Sequence, residues 1–411
     1  MSLRLIQGGL FLVLAACSGG PSQSAQVQQD RPFTVSEVAT FEAPWAMSFL
    51  PGSGVPLTNL ALVTEKAGRL WLVDARSGKK QEVSGVPQVV AEGQGGLLDV
   101  VASPAFAGDQ LVYFTFAERS RNGGSQLALA RAKLNLAGRP ALTDVQIIWR
   151  NPEGGKGGHF GARIAFAPDG QSLFLSAGDR QRFTPAQDSS QPMGKILHLT
   201  LDGKPAPGNP WAGNTGAPTV SVTDPPEDSE KAKTAPARRV TWPGTNLTPS
   251  ETWTVGHRNP LGLAFAPDGR LWEMEMGPKG GDELNLIEKG KNYGWPLVSF
   301  GVNYNDVPIP SHDSKPEFAK PVLYWTPVIA PGNLMFYRGK KTFPQWDGSG
   351  FVSGLGSKTL TRIIFDGKGG AKPAERWDLG KRIRDVAQAP DGTLWLLEDD
   401  NPGALIHVTP K

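Results

Sequence analysis

The chain has 411 residues, with 42 basic and 39 acidic side chains and a formal net charge of +3. Its 50 glycines and 36 prolines make up about a fifth of the chain, against roughly an eighth in average usage. That density of breakers excludes long helical bundles and coiled coils, and an apolar content of 39% excludes a disordered chain. The balanced charge, with no Lys/Arg run, excludes a nucleic-acid partner.

Taken in chain order, Arg4 precedes an apolar run from Gly8 to Ala16 that is too short to span a bilayer. It reads as a secretory signal over residues 1–16. The run ends Leu14-Ala-Ala-Cys17, which resembles the bacterial lipobox, in which the peptide is cut before the cysteine and the thiol is acylated. Cys17 is the only cysteine, so neither a disulfide nor a thiolate metal site is available to the mature protein. Ser18 resembles the second residue of lipoproteins sent to the outer membrane. The expected location is the periplasmic side of the envelope, with the membrane touched only through the lipid. An ordinary signal peptide with an incidental cysteine is the alternative. Residues 17–33, rich in Ser, Gln, Gly and Pro, read as a tether, leaving 34–411 as the folded domain.

A phrase then recurs. Ile164-Ala-Phe-Ala-Pro-Asp-Gly170, Leu263-Ala-Phe-Ala-Pro-Asp-Gly269 and Val386-Ala-Gln-Ala-Pro-Asp-Gly392 are each followed by a second apolar segment. Each predicts a strand, a tight turn and a strand. Weaker copies lie around Pro51, Pro104 and Pro331. The prolines fall at 51, 104, 168, 267, 331 and 390, near-constant steps with one long interval. This predicts an all-β, six-bladed β-propeller of four-stranded antiparallel blades, with an insertion at about 202–250. A β-sandwich with fortuitous turns is the alternative. A seventh blade within 202–250 is disfavoured by its polar, Pro-rich text.

Polar motifs sit at the entrances of the repeats. Gln94, within Gly93-Gln-Gly-Gly-Leu-Leu98, precedes the second phrase and offers an amide. His159, among glycines before the third, offers an imidazole that a substrate can approach closely. Arg258 and Asn259 precede the fourth and offer several donors. After that phrase, Gly277 and Pro278 offer carbonyls and Asp282 and Glu283 carboxylates, with Tyr293 close behind. Oxygen donors of this mixed origin suit Ca²⁺. Trp325 precedes the fifth phrase and is a stacking surface. Arg382 and Arg384 enter the sixth and share a strand face, which is unfavourable without an anion between them. Each motif also has a bland reading as a solvated turn or an ordinary core residue. Equivalent positions of a propeller share one end, however, so these residues are expected to ring one mouth. A planar polycarboxylate held with Ca²⁺ fits such a ring.

From about Phe41 onward these motifs, in this order, resemble the PQQ-dependent soluble glucose and aldose sugar dehydrogenases. Asn292-Tyr-Gly-Trp-Pro296 and His159-Phe-Gly-Ala-Arg163 add to the likeness. The resemblance implies oxidation of an aldose at its anomeric carbon to a lactone. Hydride would pass to PQQ and electrons to an external quinone or cytochrome. It implies His159 as general base and Arg258 as stabiliser of charge on the reduced cofactor. Arg382, Arg384 and Lys358 would hold the PQQ carboxylates. Gln94 and Asn259 would hydrogen-bond the cofactor and Trp325 would stack on it. The carbonyls of Gly277 and Pro278 would bind Ca²⁺, and Glu283 and Tyr293 match a second, structural Ca²⁺ site. Met276 departs from the pattern, standing where relatives often carry a polar side chain. A calcium-dependent lactonase-type hydrolase and a non-catalytic periplasmic binding propeller are the alternative readings.

Overall fold

The computed structural model describes residues 26–28, 30–51, 59–121, 123–151, 154–155, 157–188, 191–212, 219–223, 237–241 and 250–411. The signal segment and Cys17 lie outside them, as does most of 202–250.

The described residues form six antiparallel four-stranded sheets, each seeded by one of the six phrases. The first strands of blades 1 to 6 are Pro44–Phe49, Leu97–Ala102, Gly161–Phe166, Pro260–Phe265, Pro331–Phe336 and Ile383–Gln388. Successive first strands touch, and the sixth returns to the first, so they line the axis of a closed ring. Six blades are therefore present, as the repeat predicts. The long step falls inside blade 3. Its third strand, Lys195–Thr200, pairs with Thr252–Val255, and the described residues between them include a hairpin, Thr219–Thr223 with Ala237–Thr241.

The repeated turn has one construction in all three strong copies. Asp169, Asp268 and Asp391 each accept, through Oδ1, the backbone N–H two residues on, at 2.9, 3.0 and 2.9 Å. Gly170, Gly269 and Gly392 take φ of 70°, 84° and 89°. L-residues with a Cβ rarely adopt that region, which is why the phrase ends in glycine.

The ring is closed by the N-terminus. Phe33–Phe41 supplies the fourth strand of blade 6, paired with Gly403–Pro410. Composition assigns Phe33 to the tether. The structure instead packs its ring, 1% exposed, against Trp346 and Trp377. Further upstream, Val27–Gln28 adds a parallel fifth strand to the edge of blade 5. The folded domain thus begins before residue 34. Joining first and last segments in one sheet removes the free edges an open ring would expose.

At the axis one side chain touches every other blade. Arg163, on the first strand of blade 3, donates from Nη1 to Asp99 Oδ1 of blade 2 at 3.1 Å. Its Nε donates to the Leu261 carbonyl of blade 4 at 2.8 Å, and its Nη2 to the Gly332 carbonyl of blade 5 at 2.6 Å. Nη2 also lies 3.4 Å from Asp385 Oδ1 of blade 6. The guanidinium sits 4.3 Å from the ring centroid of Trp45 in blade 1. Arg163 is 3% exposed, so its charge has little access to water and relies on these partners.

Candidate active site and metal centre

In an antiparallel blade, the start of the first strand and the end of the second lie at the same mouth. Residues from both positions converge there. Gln94, Phe160, Gly161, Asn259, Arg382 and Arg384, at or just before first strands, border a cavity of about 230 Å³. Lys66, Met276 and Leu355, each the residue immediately after a second strand, also border it, with Trp45, Leu98 and Leu261.

Arg382 and Arg384 point together, as strand alternation predicts. Their anionic partner, however, is already in the chain. Asp399 Oδ2 accepts from Arg382 Nε at 3.0 Å, and its Oδ1 from Arg384 Nε at 2.9 Å. Burial alone would raise the Asp399 pKa, but the two arginines outweigh it and hold the carboxyl below its ordinary value. One carboxylate does not neutralise two guanidiniums, and Lys66 adds a third cation to the wall. The cavity therefore keeps a net positive charge above apolar surfaces from Trp45, Phe160 and Leu261. Three cations, two amides and flat apolar walls suit a planar polyanion.

Beside this cavity, His159 Nδ1 meets Asp179 Oδ1 at 2.7 Å. Asp179, fully buried, also accepts from Trp295 Nε1 at 2.7 Å and from the Gln181 N–H at 2.8 Å. The His159 N–H donates to Gln94 Oε1 at 2.8 Å, and the Gly161 N–H to Asn259 Oδ1 at 3.2 Å. The two cavity amides thus hold the backbone on either side of the imidazole. His159 has φ of 52°, a strained conformation for a non-glycine residue that these bonds maintain.

Arg258 faces a second, smaller cavity. Gly277, Pro278, Glu283 and Tyr293, the four residues expected around calcium, border it together with Glu275 and Trp295. Two details differ from expectation. The Gly277 carbonyl accepts from Arg258 Nη1 at 2.9 Å. The Tyr293 hydroxyl donates to the Leu286 carbonyl and accepts from the Glu288 N–H, so backbone groups already occupy it. Deeper in the same blade, His257, Glu273 and Glu275 bring ligand atoms within 4.8 Å of one another. Asn285 Nδ2 donates to Glu273 at 3.1 Å and to Glu275 and Glu283 at 3.4 Å. Glu273 Oε1 and Asn285 Oδ1 are buried with no hydrogen-bond partner. Burial and the neighbouring Glu275 charge push the Glu273 pKa well above its ordinary value. Crowded carboxylates with unused acceptor oxygens fit a hard divalent cation.

Two further expectations fail on side-chain placement. Trp325 pairs with Asp282 at the right end of blade 4, and its carbonyl accepts from the Gly281 N–H. Its ring, 1% exposed, is packed among Trp272, Met274, Ile329 and Val352. The side chain points between blades rather than into the mouth, so the aromatic wall comes from Trp45 and Phe160. Lys358 is exposed and does not border the cavity.

The sequence matches the Glucose / Sorbosone dehydrogenase family over residues 41–221 and 235–407. The chain belongs to this family. It is 35% identical to the aldose sugar dehydrogenase YliI of Escherichia coli strain K12, with 90% of each chain covered. It is 26% identical to quinoprotein glucose dehydrogenase B of Acinetobacter calcoaceticus, over 95% of this chain and 94% of that one. The solved PQQ-bound form of aldose sugar dehydrogenase from Streptomyces coelicolor superposes with a TM-score of 0.68 at 27% identity, covering 94% of this chain and all of the other.

Within this sugar dehydrogenase family member, sequence reasoning missed Trp45, Lys66, Asp179, Trp295 and Asp399. Three of them had a readable signal. Lys66 and Asp399 directly follow the second strands of blades 1 and 6, and Asp179 stands two residues after that of blade 3. Antiparallel pairing places those positions at the mouth already identified.

Proposed function

We propose that the protein catalyses PQQ- and Ca²⁺-dependent oxidation of aldoses at the anomeric carbon to lactones, and passes the electrons to an external quinone or cytochrome. The observation that carries this reading is the shared cavity of Gln94, Asn259, Arg382 and Arg384 beside the His159–Asp179 pair. When bound, PQQ is the two-electron oxidant that takes hydride from the anomeric carbon, with Ca²⁺ polarising the accepting carbonyl.

The chain's own part is positioning and proton transfer. Arg382 and Arg384 bind cofactor carboxylates, and Gln94 and Asn259 fix its polar edge. Trp45 and Phe160 provide the flat wall. Asp179 accepts the Nδ1 proton of His159 in a hydrogen bond, which selects the tautomer whose Nε2 is the basic nitrogen that takes the anomeric hydroxyl proton. Asp179 also stabilises the imidazolium that results. Arg258 lies near enough to lower the Asp179 pKa, and presents positive charge to the reduced cofactor. Glu273, Glu275, Glu283 and Asn285 hold a structural Ca²⁺, while the Gly277–Pro278 turn holds the catalytic one. A purely hydrolytic lactonase leaves the surplus of cations in the first cavity without a purpose.

The proposal includes the cellular setting: export, acylation of Cys17 and action on the periplasmic side of the envelope. The test is dye reduction by the purified protein with PQQ, Ca²⁺ and a panel of aldoses. Turnover that requires both additions is the expected result. No turnover with any aldose, together with no PQQ binding by titration, rejects the reading.

A further inference from the structure

We propose that Lys66, and not Lys358, is the lysine that binds a carboxylate of the anionic cofactor. The proposal rests on the PQQ reading above.

Lys66 is the first residue after the second strand of blade 1, Leu60–Glu65. That position brings it to the mouth, where it borders the cavity with Gln94, Arg382 and Arg384. Its Nζ donates to the Gly93 carbonyl at 2.9 Å. An ammonium has three donors, so two remain for a ligand. The bond also fixes the chain beside Gln94, whose amide holds His159. Lys66 thus couples the cationic wall to the loop that positions the base.

Charge arithmetic points the same way. Lys66, Arg382 and Arg384 carry three positive charges, and Asp399 is the carboxylate shared by the two arginines. Two positive charges are left over in a half-buried site. Burial first, and then repulsion from Arg384, lower the Lys66 pKa, with Asp399 only partly offsetting them. A bound carboxylate relieves that repulsion, so cofactor affinity and the three cations are linked. Lys358 has none of these features. It is exposed, takes φ of 57°, and contributes its carbonyl to the Leu379 N–H.

PQQ is titrated into the cofactor-free protein with Ca²⁺ present, and binding is followed by calorimetry. Lys66→Met is expected to weaken binding by about 10-fold to 100-fold, the range for one charged hydrogen bond. Lys66→Arg recovers most of the loss, and Lys358→Met stays within about twofold of the parent, a difference well below one such bond. A second measurement does not depend on any variant folding. Reductive methylation of the unmodified protein, read by mass spectrometry, is expected to show PQQ protecting Lys66 and leaving Lys358 reactive. Parent-like binding by Lys66→Met, or protection of Lys358 alone, overturns the proposal while the PQQ reading stands. Absence of PQQ binding by the parent protein overturns both.

Discussion

His159 Nδ1 lies 2.7 Å from Asp179 Oδ1, in a pair with side chains only 5% and 0% exposed. Burial alone would raise the Asp179 pKa. The charge and hydrogen bond of His159, the Arg258 charge and the Trp295 indole together hold it below its ordinary value. The carboxylate is therefore an anion that fixes the imidazole tautomer. Asp179→Asn keeps the shape but offers an amide in its place. It is expected to lower kcat about 10²-fold to 10⁴-fold while leaving the PQQ titration unchanged. Equal losses in binding and turnover would assign Asp179 a structural role only.

Arg163 tests whether the axis is one unit. Arg163→Met strands Asp99, part of Asp385 and two carbonyls without their donor. Loss of one partner of a buried charge pair costs about 3–5 kcal/mol, so a clear drop in the denaturant midpoint is expected. A midpoint within 0.5 kcal/mol of the parent's stability (about the scatter for surface changes) would show that the blades do not depend on this contact.

The same axis gives a pH dependence. Asp385 is pushed up to about 6 from 3.8, by burial first and by Asp99, against the pull of Arg163 and the Met47 N–H. Its folded form holds a proton that its unfolded form releases. Its contribution is therefore fully present below about pH 3.8 and is lost as pH rises through about 6. The loss is on the order of 3 kcal/mol. Asp385→Asn has no proton to lose. Chemical denaturation between pH 4 and pH 7 is expected to show a flatter stability profile for the variant than for the parent protein.

Cation binding at the blade 4 carboxylates predicts a stability linkage. Ca²⁺ at 100 times its Kd adds about 2.7 kcal/mol, seen as a higher Tm that EGTA reverses. Glu275→Gln combined with Glu283→Gln is expected to abolish the response. Retention of the full calcium-dependent shift by that double variant would place the ion elsewhere.

Trp325 separates core packing from ligand contact. Trp325→Ala is expected to cost about 3–5 kcal/mol, because its ring fills the space between blades 4 and 5. Trp325→Phe, which keeps most of that volume, is expected to bind PQQ as the parent does. Trp45→Ala, at the cavity wall, is expected to weaken PQQ binding.

Much of the architecture was legible in the sequence because it is local. A Pro-Asp-Gly turn needs only its own residues and its own hydrogen bonds, so its three copies, with three weaker phrases at similar spacing, announce six blades. The closing strand Phe33–Phe41 was not legible. It pairs with Gly403–Pro410 across nearly the whole chain, and no local pattern encodes that partner. The same division runs through the site. Gln94, Asn259, Arg382 and Arg384 could be placed at one mouth because each precedes an apolar strand at an equivalent repeat position. Trp325 could not be placed, since its backbone lies at that mouth but its rotamer follows the packing between blades.

The repeat, the blade count and the end of the ring where polar motifs gather are thus written locally in the chain. Turn chemistry and strand alternation act over a few residues. The partners those motifs meet are set by the closed ring: Asp399 between two arginines, Asp179 behind the imidazole, Lys66 in the cavity and Trp325 outside it. Those contacts join different blades, so their geometry exists only after the ring has closed.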